Sequence, residues 1–138
     1  MTKSESALNL IGRLGIATLF LPAGILKLVG VRDLGGYFGS LGHPEVTVLV
    51  WLVVVIEILG GLALILGYQT RIVAIILACF TLGASLIGHA FWSAPEDAAL
   101  IAQLIFVRNM AILGGLLVLA SSGGGSYSID ALRNKVSF

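Results

Sequence analysis

Five ionisable side chains stand inside apolar stretches of this chain: Arg13 and Lys27 in one, Glu57 in the next, His89 in a third and Arg108 in a fourth, with Gln103 and Asn109 adding amides beside Arg108. A charge at the centre of a helix in hydrocarbon costs about 2.5–3.5 kcal/mol on insertion scales, so each of these groups needs a partner or a task. A carboxylate and an imidazole can carry protons, and ammonium, guanidinium and amide groups can donate to the oxygens of a ligand. Position along each stretch gives depth at 1.5 Å per residue. Glu57 and Arg108 both fall about halfway along their stretches, near the bilayer midplane, so the two are expected to pair, since either alone is strongly penalised. Lys27 and His89 fall near the outer ends, Gln103 lies between the two layers, and Arg13 lies in the opposite half. The functional reading is a pocket open to the outer side and lined by Lys27, Glu57, His89, Gln103, Arg108 and Asn109. Polar at depth and apolar in its walls, it would suit a small amphiphile such as a quinone head group, whose reduction takes up protons.

A plainer reading stands beside it. Glu57 and Arg108 can serve as a lock between helices, Lys27 and Arg13 can extend their charges to the headgroups at either side, and His89 can donate one hydrogen bond to a neighbouring helix. Other chemistries find little support. The two histidines are His43, in a Gly/Pro loop, and His89, so haem ligation between helices and a metal centre are not expected. No Gly-rich phosphate loop and no Ser/His/Asp arrangement occurs. The single cysteine, Cys79, sits in apolar sequence and is expected to pack. There is no Lys/Arg cluster for nucleic acid.

The elements that must hold these groups are transmembrane helices. Hydrophobic residues make up 58% of the 138, charged residues 11%, and mean hydropathy is +1.06. So few charges cannot cover a water-facing surface, whereas a bilayer accepts apolar side chains on the outside. Four segments near the roughly 20 residues needed to span the bilayer are expected at 7–29, 46–67, 71–90 and 98–120, followed by a polar tail at 121–138. The first is too long for a signal-peptide core and is read as a retained helix. The fold class is an all-α, up-down, integral membrane four-helix bundle in one domain. A short interfacial segment is expected between helices one and two, where glycines and Pro44 alternate with Leu34, Tyr37, Phe38 and Leu41. Tyr37 and Trp92 suit the interface, and Glu96 and Asp97 suit the N-terminus of the fourth helix.

Helix faces point the polar groups inward. Arg13, Ala17, Phe20, Gly24 and Lys27 share one face of helix one, Glu57, Gly60, Gly61 and Leu64 one face of helix two, and Arg108, Ala111, Ile112 and Gly115 one face of helix four. Small residues mark close helix contact in membranes. The steps Ala63–Gly67 and Ala84–Gly88 suit internal or intersubunit packing, which leaves a homo-oligomer open. Lys3, Arg71 and the tail's Arg133 and Lys135 make one side more basic than the other, which carries Arg32, Asp33, Glu45, Glu96 and Asp97. Both termini are therefore expected in the cytoplasm, with Arg13 and Arg71 as structural polar groups on that half.

At these positions the chain resembles the DoxX family of small bacterial and archaeal membrane proteins. The resemblance rests on Arg13-Leu14-Gly15 and Pro22-Ala23-Gly24-Ile25-Leu26-Lys27, on Glu57-Ile58-Leu59-Gly60-Gly61 with Leu66-Gly67 and Thr70-Arg71, on His89-Ala90-Phe91-Trp92, and on Arg108-Asn109 running through Gly114-Gly115. It implies a four-helix membrane bundle, with the family's polar positions at Arg13, Lys27, Glu57, His89 and Asn109. The family takes its name from a subunit of a thiosulfate:quinone oxidoreductase, and other relatives are tied to redox stress. The resemblance thus implies a cell-membrane subunit of an oxidoreductase or redox-stress system with a partner subunit; the quinone remains the expectation from the pocket itself, and with no cofactor-binding motif in the sequence no cofactor is expected in the chain itself. A non-catalytic anchor or assembly subunit, and a small transporter, stand as alternatives.

Overall fold

In the computed structural model, the backbone is described for residues 1–40 and 44–136 and side chains for residues 1–30 and 47–134. The chain forms α1 (Lys3–Ser40), α2 (Pro44–Leu66), α3 (Thr70–Gly88), a 3-10 turn at Phe91–Ser93, α4 (Glu96–Ser122) and a short α5 (Ile129–Val136). There is no strand among the described residues. Among the described residues, four helical stretches are long and apolar enough to cross a membrane: Lys3–Gly30, Thr47–Leu66, Thr70–Ser93 and Glu96–Ser122. Their outer faces carry apolar side chains such as Leu26, Val29, Ile87 and Val118, which are exposed in the isolated chain and face lipid in a bilayer. This is a multi-pass membrane protein.

Local sequence explains where the helices begin and end. Thr2 and Glu5 form a reciprocal capping box: the Glu5 N–H donates to Thr2 Oγ1 at 3.2 Å and the Thr2 N–H donates to Glu5 Oε2 at 2.7 Å. This starts α1 at Lys3, four residues before the expected 7. At its other end α1 continues to Ser40, past the expected stop at 29. The amphipathic pattern of Leu34, Tyr37, Phe38 and Leu41, together with His43 and Glu45, lies outside the described side chains. Helix α2 ends in a Schellman turn. The Tyr68 N–H donates to the Ala63 carbonyl at 3.0 Å and the Gly67 N–H to the Leu64 carbonyl at 3.3 Å, with Gly67 at φ +66°. That φ demands glycine.

The spans pair as two hairpins, α1 with α2 and α3 with α4, and contacts between the hairpins are sparser. Glycine sets the closeness of the first pair. A Cβ on Gly24 would lie 3.0 Å from the Glu57 Cβ and 3.1 Å from the Ile58 backbone nitrogen, and one on Gly61 would lie 3.1 Å from the Leu21 nitrogen. The backbones therefore meet at a distance that no larger residue permits. Ala17 and Phe20 from α1, Leu64 from α2, Ala74, Leu77 and Ala78 from α3, and Leu116 and Leu119 from α4 fill a common core. This core occupies the half of the bundle nearer the termini (the terminal end). The opposite half is not filled.

The tail is more than a polar extension. After a Gly123–Gly125 loop with two positive-φ glycines, α5 folds back under the terminal end. The Asp130 N–H donates to the Gly67 carbonyl at 3.1 Å, and the Ser126 N–H donates to Ser6 Oγ at 3.2 Å.

Candidate functional site

The unfilled half encloses a cavity of about 580 Å³ lined by residues of all four spans, including Lys27, Glu57, His89, Arg108 and Asn109. On the α1/α2 side, Lys27 Nζ lies 2.8 Å from both carboxylate oxygens of Glu57. Gly24 makes this possible. One turn before Lys27, it lets α1 lie against the Glu57 Cβ, so the lysine stem reaches across to the carboxylate. The Glu57 side chain is 8% exposed and the Lys27 side chain 42%, with the lysine facing the cavity.

On the α3/α4 side a polar chain that begins with a cation faces this pair. Arg108 Nη2 donates to Asn109 Oδ1 at 3.3 Å, Asn109 Nδ2 donates to Ser85 Oγ at 3.0 Å, and Ser85 Oγ donates to the Thr81 carbonyl at 2.6 Å. Asn109 and Ser85 are buried. His89 closes α3: its N–H donates to the Ser85 carbonyl at 3.1 Å and its ring lines the cavity. Phe20, Phe80, Val53, Ile56 and Ile87 supply apolar wall. With Lys27 and Glu57 neutralising each other, Arg108 leaves the lining one positive charge in excess. The arrangement can hold an electron-rich head group between donors from opposite walls.

Four expectations need correction. Glu57 does not pair with Arg108, although both line the cavity; its partner is Lys27. Equal depth is not adjacency, because α2 packs along α1 while α4 packs along α3. Lys27 therefore turns inward rather than toward the headgroups. Gln103 is exposed and lies outside the lining. Finally, the inward face of α4 is rotated by about one residue from the one expected: Asn109, Leu116 and Leu119 are buried, while Arg108 and Ala111 are exposed.

Arg13 belongs to a different construction. It is fully buried, and its guanidinium donates to the Leu64 carbonyl at 2.9 Å, the Tyr127 carbonyl at 2.5 Å and Asn9 Oδ1 at 3.1 Å. A cation thus caps the C-terminal carbonyls of α2 and also grips the tail. Asp130 does the complementary work at the start of α3, where Gln69 has no side-chain cap. Its carboxylate accepts from the Gln69 N–H at 2.7 Å and the Thr70 N–H at 2.8 Å. Burial works to raise the Asp130 pKa, but the Thr70 and Gln69 donors and nearby Arg133 outweigh it and hold the carboxyl below the ordinary range. Asp130, Ser85 and Thr81 were not singled out by sequence. Asp130 caps a helix about sixty positions away, so no local spacing reveals it.

The family model for DoxX matches residues 8–90. The chain belongs to the DoxX family. It is 36% identical to the inner membrane protein YqjF of Escherichia coli over 135 residues, covering 98% of each chain. It is 33% identical to the inner membrane protein YphA of the same organism, covering 92% of this chain and 91% of that one. A more distant relative from Bacillus subtilis, named "Putative oxidoreductase CatD", is 31% identical over 84 residues, 61% of each chain. No solved structure matches. The matched region holds Arg13, Lys27, Glu57 and His89, so the ion pair and one end of the facing wall lie within it.

Proposed function

We propose that the intramembrane cavity binds the head group of a small lipophilic molecule of quinone type, and that the protein serves as a membrane subunit of an oxidoreductase system in the cell's inner membrane, with both termini cytoplasmic. The observation that carries this reading is the Lys27–Glu57 pair facing the Arg108–Asn109–Ser85 chain across an otherwise apolar cavity. Its volume suits a single ring. The excess positive charge favours carbonyl oxygens that become electron-rich on reduction. A bound quinone would supply the electron-accepting chemistry. The chain's own groups would do the rest: Lys27 and Arg108 orient the oxygens, the apolar wall excludes water, and Glu57 and His89 exchange protons at its edge. The oxidoreductase name of the Bacillus subtilis relative and the inner-membrane names of the Escherichia coli relatives support this setting.

The alternative is an anchor or assembly subunit whose charges are purely structural. Arg13, satisfied by backbone carbonyls, gives it a precedent in the same chain. The test is extraction and mass spectrometry of the protein purified in mild detergent, together with binding of a short-chain benzoquinone. A quinone that co-purifies with the wild type and is lost in Glu57→Gln and Arg108→Gln, both still folded, supports the pocket. Equal benzoquinone affinity in the wild type and both variants would sink it.

A further inference from the structure

Helix α4 is the least buried of the four spans, and its outward face carries a regular pattern. Leu100, Leu104, Val107, Ala111, Gly114 and Val118 are all exposed and follow one another at steps of four, three, four, three and four. That alternation is a heptad seam, a single line of side chains along the helix suited to a second helix. A Cβ on Gly114 would meet nothing within 4 Å, so no contact inside the chain calls for its small size. Small residues on a seam let two helices approach closely in lipid.

Two polar side chains flank the seam, one on each edge. Gln103 immediately precedes Leu104 and Arg108 immediately follows Val107, and both are exposed. Gln103 has no hydrogen-bond partner among the described residues. It lies six positions from Asn109 at the middle of α4, about 9 Å at 1.5 Å per residue, whereas the hydrocarbon extends about 15 Å from its centre. Lipid tails offer its amide nothing to bond, and an unbonded amide in such surroundings is costly. Arg108 makes one hydrogen bond among the described residues, the long one to Asn109, so most of its five N–H donors have capacity to spare. Within one helix the two cannot meet, because side chains five positions apart do not face each other.

Between two helices they can. Copies inserted in the same sense place α4 parallel to α4. In a parallel pair, the g position of one helix faces the following e position of the other. With Leu104 at a, Gln103 is g and Arg108 is the following e. The seam thus carries its own complement, an acceptor without a donor on one edge and a donor in excess on the other.

We propose that the protein pairs with a second copy of itself through α4, the Gln103 amide oxygen of each chain accepting from the Arg108 guanidinium of the other. A twofold axis along the membrane normal makes both contacts at once. Arg108 also lines the intramembrane cavity, so the dimer adds to that wall. Asn109 holds the guanidinium from within the chain, and Gln103 holds it from across the interface as a positioning residue. This inference stands whatever the cavity binds.

The test is oxidative crosslinking in liposomes, together with energy transfer between donor- and acceptor-labelled copies as added lipid dilutes them. Cys79, exposed on α3, is a control already in the chain. Oxidation should leave the wild type without crosslinks and should link Ala111→Cys, made with Cys79→Ser, into dimers. Gln103→Leu should dissociate at about three- to tenfold higher protein-to-lipid ratio than the wild type. Gln103→Glu, whose carboxylate pairs with the guanidinium, should dissociate at a lower ratio. Circular dichroism of both variants should match the wild type, since Gln103 bonds to nothing in its own chain. Crosslinking at Cys79 as efficient as at Ala111→Cys overturns the α4 seam. Energy transfer no greater than random mixing gives overturns the dimer. A Gln103→Leu dissociation curve that superimposes on the wild type overturns the pairing with Arg108.

Discussion

Replacing Lys27 or Glu57 should expose how strongly the two are coupled. Glu57→Gln keeps the shape of the side chain but removes its charge. The loss is that of charge-assisted hydrogen bonds, about 2 kcal/mol. Lys27→Met is costlier, because it leaves a carboxylate of 8% exposure without its cation. Breaking a buried pair from one side costs about 3–5 kcal/mol, and the partly exposed lysine places this case near 3. The double variant Lys27→Met/Glu57→Gln removes both charges and should lose only about 2–3 kcal/mol, giving a coupling of about 2–3 kcal/mol. Unfolding in bicelles titrated with dodecyl sulfate, followed by circular dichroism, measures all four proteins of the cycle. The matching cycle with Arg108→Gln should couple far more weakly, since Arg108 bonds to Asn109 instead. Additive losses for Lys27 and Glu57, or a stronger coupling of Glu57 to Arg108 than to Lys27, would refute the reasoning.

Three further outcomes follow from the terminal end and the helix contacts. Arg13→Met removes the donor from one buried and one part-buried backbone carbonyl and should cost about 2–5 kcal/mol, with limited proteolysis now cutting the released tail near Tyr127. Gly67→Ala adds a side chain at φ +66° against the Arg13 guanidinium and Ser128, so its loss should exceed the roughly 1–2 kcal/mol of the left-handed conformation alone, read as a drop in midpoint in the same titration. Asp130 titrates lower when the tail is docked than when it is free. Its contribution to docking is therefore complete above the free value of about 3.9 and fades as pH falls below that value toward the docked one. Proteolysis of the tail should accelerate only under acid conditions, and Asp130→Asn should remove that pH dependence.

The spans were legible because hydrocarbon length and composition leave few alternatives, and the inward faces of α1 and α2 followed from the spacing of Arg13, Gly24, Lys27, Glu57 and Gly61. Depth counting failed where it was asked for contacts. It locates Cα atoms along an axis, whereas the partner of Glu57 was decided by which helix lies alongside and by a flexible lysine stem. The face of α4 is not legible from small residues, because Gly115 and Ala111 suggest a contact that the bundle does not make there. A Cβ on Gly115 meets only Ile16, at 3.7 Å, so nothing there required a small residue. The roles of Arg13 and Asp130 were hidden for another reason. Each caps a helix other than its own, and the Asp130 cap and the Tyr127 contact of Arg13 exist only once the tail has returned to the α2–α3 turn.

That return has a consequence for how the protein is made. Arg13 lies in the first of the four spans described, yet its acceptors are delivered in instalments: Asn9 at once, Leu64 with the second span, Tyr127 only after the fourth. Until then the nascent helix carries a poorly satisfied cation, a burden on insertion that lessens as each successor arrives. The segment that completes the coordination of Arg13 thus follows all four spans in the chain, and its docking requires α1 and the α2–α3 turn to be in place.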